Sequence, residues 1–247
     1  MARIRLDLAL VQNGLCPSRE QAKRLIMAGE VMLGDEVICK PGWLVRADAQ
    51  LKVKPPPRFV SRGGLKLEGA LEHFGIDVTG LIGMDVGAST GGFTDCLLQR
   101  GAVKVYAFDV GTNQMVWKLR SDPRVICREN FNVRHLQPTD LPETVDIIVA
   151  DVSFISLTLV LPGALSVLKP GGQALVLVKP QFELSRDEVG KGGIVREPEL
   201  HEKACTRIRS FVETQTGLAW RGITESSIQG TDGNREFLAW FSKRSPE

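Results

Sequence analysis

Four charged side chains stand at the margins of apolar stretches, where an unpaired ammonium or carboxylate is costly to bury. Asp151 closes Val145-Asp146-Ile147-Ile148-Val149-Ala150, and Lys179 closes Ala174-Leu175-Val176-Leu177-Val178. Lys66 lies in Ser61-Arg62-Gly63-Gly64-Leu65-Lys66-Leu67, and Glu236 follows Gly233-Asn234-Arg235. The two apolar runs have the length and β-branched content of buried strands. Open α/β sheets bind ligands outside the carboxyl ends of such strands. A lysine beside a carboxylate can be a structural salt bridge, or it can be a proton acceptor held in place by its partner. On these residues alone both readings stand.

A second group of residues could hold a cofactor. Met84-Asp85-Val86-Gly87-Ala88-Ser89-Thr90-Gly91-Gly92-Phe93-Thr94-Asp95 follows an apolar strand and opens a helix. Its small residues let the backbone approach a ligand closely. The spacing is G-x-x-x-G-G rather than the G-x-G-x-x-G of dinucleotide binders, so pyrophosphate is the poorer fit. An adenosine cofactor without phosphates, such as S-adenosylmethionine, fits better. Asp109 ends the next strand, 24 residues beyond Asp85, where an acid can accept hydrogen bonds from ribose hydroxyls. Asn130 follows the third strand, near the expected adenine. It reads equally well as a loop cap.

The elements that must position these groups follow from periodicity. Helix 63–74 precedes strand 82–86, helix 92–100 precedes strand 103–108, and helix 112–120 precedes strand 124–127. Strand 145–150 precedes helix 157–168, and strand 173–178 precedes helix 199–216. Two strands, 220–228 and 236–242, end the chain. The fold class is therefore α/β, a Rossmann-like, mostly parallel sheet covered on both faces. The last two strands have no helix between them, so the last should run antiparallel. Residues 184–196 carry Gly190, Gly192 and Gly193 among charges. They read either as a segment that closes on a substrate or as a plain surface connection.

Ahead of this stands a smaller α+β unit. Lys52-Val53-Lys54-Pro55-Pro56-Pro57-Arg58 cannot continue a helix or a central strand, and it makes a stiff spacer. The expected organisation is a front domain at 1–54, a linker at 55–60 and a larger domain at 61–247. In the front, helices 5–12 and 19–28, the second capped by Ser18, precede short strands at 31–33, 37–38 and 51–53. Residues 1–66 hold twelve Lys/Arg against six Asp/Glu, whereas the rest holds nineteen against twenty-three. A basic front on an acidic body points to a polyanionic partner. Arg5, Arg19, Lys23, Arg24 and Lys40 could grip phosphates, with Arg62 beyond the linker. Trp43 is the lone aromatic of the front domain, so structured RNA is favoured over stacked single strands. Five scattered cysteines and three histidines give no zinc spacing. With neither a signal peptide nor a membrane span readable, a cytoplasmic protein is expected.

These motifs resemble known families. Arg5-Leu6-Asp7, Leu10, Gly14, Ser18-Arg19, Ala22, Leu25-Ile26, Gly29, Val31, Gly34 and Lys40-Pro41 resemble the ribosomal-protein-S4-type RNA-binding domain. Ser61 to Leu67, Asp85 to Phe93, Ala150-Asp151-Val152-Ser153-Phe154-Ile155-Ser156 and Val178-Lys179-Pro180-Gln181-Phe182-Glu183 resemble the hemolysin-A-type (TlyA) ribosomal RNA 2′-O-methyltransferases of the wider FtsJ-like class. The resemblance spans nearly the whole chain. It implies a catalytic Lys-Asp-Lys-Glu set, which falls on Lys66, Asp151, Lys179 and Glu236. It also implies S-adenosylmethionine as cofactor and a cytidine in ribosomal RNA, naked or in a subunit, as substrate. The short flanks lean toward large-subunit RNA. In that reading Lys179 is the base, Asp151 orients it, and Glu236 holds Lys66 and the ribose. A lysine acts as a base only as the neutral amine, which burial and a neighbouring like charge both favour. The rival readings are a non-catalytic RNA-binding assembly factor and a membrane-active hemolysin. A pseudouridine synthase is disfavoured by the cofactor loop.

Overall fold

The computed structural model describes residues 3–55, 57–230 and 232–245. It divides into two compact units, with the boundary between Arg58 and Phe59. In the first unit the chain runs β1 (Arg3–Arg5), α1 (Leu6–Gln12), α2 (Arg19–Met27), β2 (Val31–Leu33), β3 (Glu36–Val37), β4 (Leu44–Arg46) and β5 (Leu51–Val53). The Ser18 side chain accepts the Gln21 N–H and starts α2. Leu6, Leu10, Ala22, Ile26 and Val31 form its core. β1 pairs antiparallel with β4, a pairing that three-residue strands do not announce in sequence.

The second unit contains α3 (Gly63–Phe74), β6 (Ile82–Val86), α4 (Gly92–Gln99), β7 (Lys104–Phe108), α5 (Trp117–Arg120), β8 (Val125–Arg128), β9 (Val145–Ala150), α6 (Leu157–Ser166), β10 (Leu168–Val178), α7 (Pro180–Glu183), α8 (Pro198–Thr214), β11 (Leu218–Glu225) and β12 (Phe237–Lys243). Seven strands form one sheet in the order β11-β12-β10-β9-β6-β7-β8. β10, β9, β6, β7 and β8 run parallel, and β12 runs antiparallel to both of its neighbours. The order reverses direction at β6, with β7 on one side and β9 on the other. This is the switch point at which such sheets open a crevice. In β9, Ile148 and Ala150 join the core on one face, and Ile147 and Val149 join the core on the other. Burial on both faces explains the uninterrupted apolar run.

Two expected elements differ. Helix 112–120 shrinks to α5, because Asn113 is left-handed, at φ 53°, and Val116 is extended, at ψ 145°, and neither conformation continues a helix. The backbone N–H groups of Asn113, Gln114 and Met115 instead gather on the Glu129 carboxylate (2.8, 2.8 and 3.2 Å). Helix 157–168 stops at Ser166, because Leu168 pairs with Val145 as the start of β10. Phe59 lies inside the stretch read as linker, yet it is buried against α3, where a Cβ on Gly64 would come within 2.3 Å of its ring.

α6 packs tightly on the turn at Val133–His135. A Cβ on Gly163 would lie 2.0 Å from the Val133 carbonyl oxygen, which is fixed backbone. Gly163→Ala is therefore expected to destabilise the protein by about 1–3 kcal/mol, the range for overpacking. Urea unfolding checks it through a lower midpoint at unchanged slope.

Candidate active site

The carboxyl ends of β6, β9 and β10 open on one cavity of about 430 Å³. β6 delivers Asp85, fully buried, and then the chain turns sharply. Gly87 has φ 80°, and a Cβ there would lie 2.5 Å from the Asp151 carbonyl oxygen, so only glycine lets the two loops approach. The Gly87 and Ala88 N–H groups both donate to the Phe108 carbonyl (2.8 and 3.0 Å). Gly92 opens α4 so close to Ser61 that a Cβ would lie 2.2 Å from its hydroxyl oxygen.

Asp85 Oδ2 accepts hydrogen bonds from the Thr94 N–H and hydroxyl (2.9 and 2.6 Å), while Oδ1 has no partner among the described residues. Buried polar atoms without partners are rare and call for explanation. Asp85 lines the cavity, so a cationic or N–H-bearing ligand is the natural missing donor. Burial pushes the Asp85 carboxyl up to about 7, with the Asp151 and Asp109 charges adding to it and the Thr94 hydrogen bonds opposing.

Two lysine–carboxylate pairs share the same cavity. Lys66, in the first turn of α3, donates to Glu236 Oε2 at 2.5 Å. Lys179, directly after β10, contacts Asp151 Oδ1 at 2.5 Å and donates to Ser153 Oγ at 3.0 Å. Lys66, Lys179 and Glu236 are 8%, 9% and 3% exposed. Asp151 is anchored by its own N–H, which donates to the Val86 carbonyl (2.9 Å). The four charged residues singled out from the sequence thus line one cavity with Asp85, Gly87, Ser89, Thr90, Gly92, Phe93 and Arg62. Two lysines, each held by its own carboxylate, can orient a hydroxyl, and one of them, as the neutral amine, can accept its proton.

Three expected cofactor residues lie outside that lining. Gly91 is the left-handed N-cap of α4, at φ 98°. Asp109 accepts the Ser89 N–H (2.8 Å) and the Gly111 N–H (2.7 Å), so it shapes the glycine loop from outside. Asn130 is exposed and left-handed, and its N–H donates to the Gly111 carbonyl (3.0 Å). In the first unit, Lys23, Arg24 and Lys40 are exposed. Arg5 and Arg19 both donate to the buried Asp7 carboxylate, at 3.0 and 2.9 Å for the two Nε atoms. The Arg5 hydrogen bond leads in holding that carboxyl down at about 2, and Arg19 adds to it against burial.

Other residues of the site went unread in the sequence. Phe154 is 91% exposed and left-handed, at φ 63°, an uncommon conformation for a bulky side chain. Its ring lies 5.1 Å from that of Phe182. Glu183 is buried; it accepts from the Ser156 hydroxyl (2.6 Å) and the Leu157 N–H (2.7 Å), tying the Asp151 loop to the Lys179 segment. Asn234 accepts from the Val195 N–H and donates to the Gly193 carbonyl, each at 2.9 Å, clamping the glycine-rich segment beside Glu236. Ser153, Phe154, Ser156 and Glu183 all lie inside the motifs that carry the resemblance, and that was their available signal.

Comparison with known proteins places both units in known families. Residues 59–243 match the FtsJ-like methyltransferase family, and residues 4–51 match the S4 domain. The 16S/23S rRNA (cytidine-2′-O)-methyltransferase TlyA of Mycobacterium tuberculosis is 43% identical over 243 residues, covering 97% of this chain and 90% of that one. The 23S rRNA (cytidine-2′-O)-methyltransferase TlyA of Campylobacter jejuni is 34% identical over 189 residues, covering 75% of this chain and 71% of that one. A solved structure from Streptococcus thermophilus, carrying a hemolysin label, is 48% identical with a TM-score of 0.75, covering 100% of this chain and 90% of that one.

The Asp85 environment has a measurable signature. Its carboxyl titrates near 3.8 in the unfolded chain and near 7 in the folded one. Below 3.8 it is protonated in both states. Between these values the unfolded chain has released a proton that the folded chain retains, so stability falls as pH rises and levels off above about 7. The difference in unfolding free energy between the wild type and Asp85→Asn is therefore expected to decline from pH 4 to pH 7 and then flatten. Parallel denaturant titrations across that range test it; a pH-independent difference would refute the assignment.

Proposed function

The chain belongs to the FtsJ-like methyltransferase family, and we propose that it methylates the ribose 2′-hydroxyl of a cytidine in ribosomal RNA. The M. tuberculosis and C. jejuni relatives are both named for cytidine 2′-O-methylation, and 23S RNA is common to both names. Large-subunit RNA is accordingly the substrate of choice. The observation that carries the reading is the convergence of two lysine–carboxylate pairs, buried except for Asp151, on a cavity at the glycine turn of β6.

S-adenosylmethionine fits the residues present. The Asp85 oxygen without a partner among the described residues suits an ammonium group, and Gly87, Ser89 and Gly92 line the same cavity. Asp85, Gly87, Ser89 and Gly92 would hold it, with Asp109 and Asn130 shaping the loops around it. When bound, it supplies an electrophilic methyl group on a sulfonium. The chain supplies alignment and a proton acceptor. Lys179 Nζ takes the proton from the 2′-hydroxyl. Asp151 holds that amine through the 2.5 Å contact. Lys66, fixed by Glu236, places a positive charge beside the ribose oxygen as it becomes nucleophilic. A non-catalytic factor would have no use for two such lysine–carboxylate pairs, three of whose four members are buried and costly to desolvate.

The first unit would meet the RNA through Lys23, Arg24, Lys40 and the Asp7-held Arg5 and Arg19, by charge and shape. Arg62, exposed at the cavity edge, would meet it near the target ribose. Among the described residues no helix is long and apolar enough to cross a membrane. With ribosomal RNA as its proposed substrate, the protein would act in the cytoplasm.

Tritium-methyl transfer to large-subunit particles from cells lacking this gene tests the enzyme reading. Lys179→Ala should lower turnover by at least about 10²-fold, the scale of a lost general base, with S-adenosylmethionine binding by titration calorimetry unchanged. Normal turnover in that variant would remove Lys179 from the mechanism. For the RNA contacts, Lys23→Ala should weaken binding and reduce the slope of log K against log salt by about one, leaving cofactor affinity untouched.

A further inference from the structure

We propose that Ser153 is a positioning residue that aims the lone pair of Lys179 at the ribose hydroxyl. The proposal rests on Lys179 being the base, and adds how that base is oriented. A neutral lysine amine has two N–H groups and one lone pair, arranged tetrahedrally about Nζ with Cε as the fourth substituent. If Asp151 alone held one N–H, rotation about the Cε–Nζ bond would leave the lone pair two staggered positions, and only one could face a given oxygen. A second acceptor removes that freedom. Ser153 Oγ is such an acceptor, at 3.0 Å, whereas Asp151 Oδ1, at 2.5 Å, makes an ion-pair contact outside hydrogen-bond alignment. With one N–H bound to Ser153 and the Asp151 charge drawing the second toward its own side, the lone pair takes the remaining vertex.

Ser153 is itself presented rigidly. At the start of its loop, the Asp151 N–H is tied to the Val86 carbonyl. At the end, the Ser156 hydroxyl and Leu157 N–H are tied to the buried Glu183 carboxylate, one turn of chain beyond Lys179. Between these anchors Phe154 adopts its left-handed backbone, so the loop turns outward directly after Ser153. Strain of this kind persists only where surrounding contacts enforce it. The acceptor on Lys179 is therefore neutral, short and fixed. Both Ser153 and Lys179 line the same cavity as Lys66 and Glu236.

A structural hydroxyl and a positioning hydroxyl differ in what their removal does. Ser153→Ala, assayed as the purified full-length protein on large-subunit particles, should lower kcat about 10- to 100-fold. KM for the particle, the Kd for S-adenosylmethionine and the melting temperature should stay near wild type. Ser153→Thr retains an Oγ and should recover most of kcat; Ser153→Val, of nearly the same shape without the hydroxyl, should not. Wild-type kcat in the Ala variant, equal kcat in the Thr and Val variants, or a loss carried by KM, cofactor affinity or melting temperature would each overturn the proposal. If the wild type fails to methylate the particles, or Lys179→Ala remains active, the base assignment falls instead. If both controls behave and only the Ser153 series is flat, this inference alone is lost.

Discussion

Two buried lysine–carboxylate contacts govern what the rest of the second unit must be. Lys66 with Glu236 and Lys179 with Asp151 set four formal charges in or beside a region that is mostly closed to water. Removing such ions from water is expensive, and their attraction compensates only when the geometry is close and held. The four side chains come from segments far apart in sequence: the first turn of α3, the ends of β9 and β10, and the start of β12. No local element can bring them together, so the sheet has to.

The sheet does so through its strand order. β9 and β10 are hydrogen-bonded neighbours, so the residues that follow them emerge side by side. β12 returns antiparallel on the far side of β10, which brings the start of that strand, rather than its end, to the same rim. A parallel last strand would deliver Glu236 to the opposite edge. The antiparallel hairpin of β11 and β12 is therefore a requirement of the Lys66 partner as well as a way to finish the sheet. β6 stands on the other side of β9, where the crossovers change direction, and its glycine turn lies against the Asp151 backbone. Cofactor loop and reacting groups are thus brought into contact by one register of parallel strands.

Much of this is legible from residue types. Strands buried on both faces read as unbroken apolar runs, and a charge that closes such a run is conspicuous because burial makes it costly. That reasoning reaches Lys179 and Asp151 directly, and the absence of a helix between the last strands reaches the antiparallel edge. It does not reach features whose cause lies elsewhere in the chain. The stretch 113–116 has helical composition, but it wraps around Glu129, some fifteen residues later, with Asn113 left-handed and Val116 extended. β1 and β4 are three residues each and pair across about forty, too short for alternation to register. Asp109 reads as a ligand acid, and that each of its oxygens also accepts a loop N–H appears only in the folded loop. Ser153 and Glu183 are invisible to periodicity, because their roles exist only once two strand ends have met.

The two units use the same residue types in opposite ways. Lys23, Arg24 and Lys40 of the first unit are exposed, where a cation stays hydrated and gains by releasing counterions from a polyanion. Such contacts tolerate variation in position, since charge and backbone shape are what they sense. Lys66 and Lys179 are almost without water, each tied to its own acid, and serve only at one orientation. Arg5 and Arg19 lie between these extremes: about half of each side chain is exposed, but both converge on the buried Asp7. Because Asp7 stays ionised down to a pH of about 2, that arginine pair is fixed across the physiological range. In the proposed reading, a phosphate meeting it would find two guanidinium groups already in place, at a smaller entropic penalty than two free side chains would exact. Affinity for RNA would then rest on the first unit, leaving the second free to keep its charges dry for the proposed reaction.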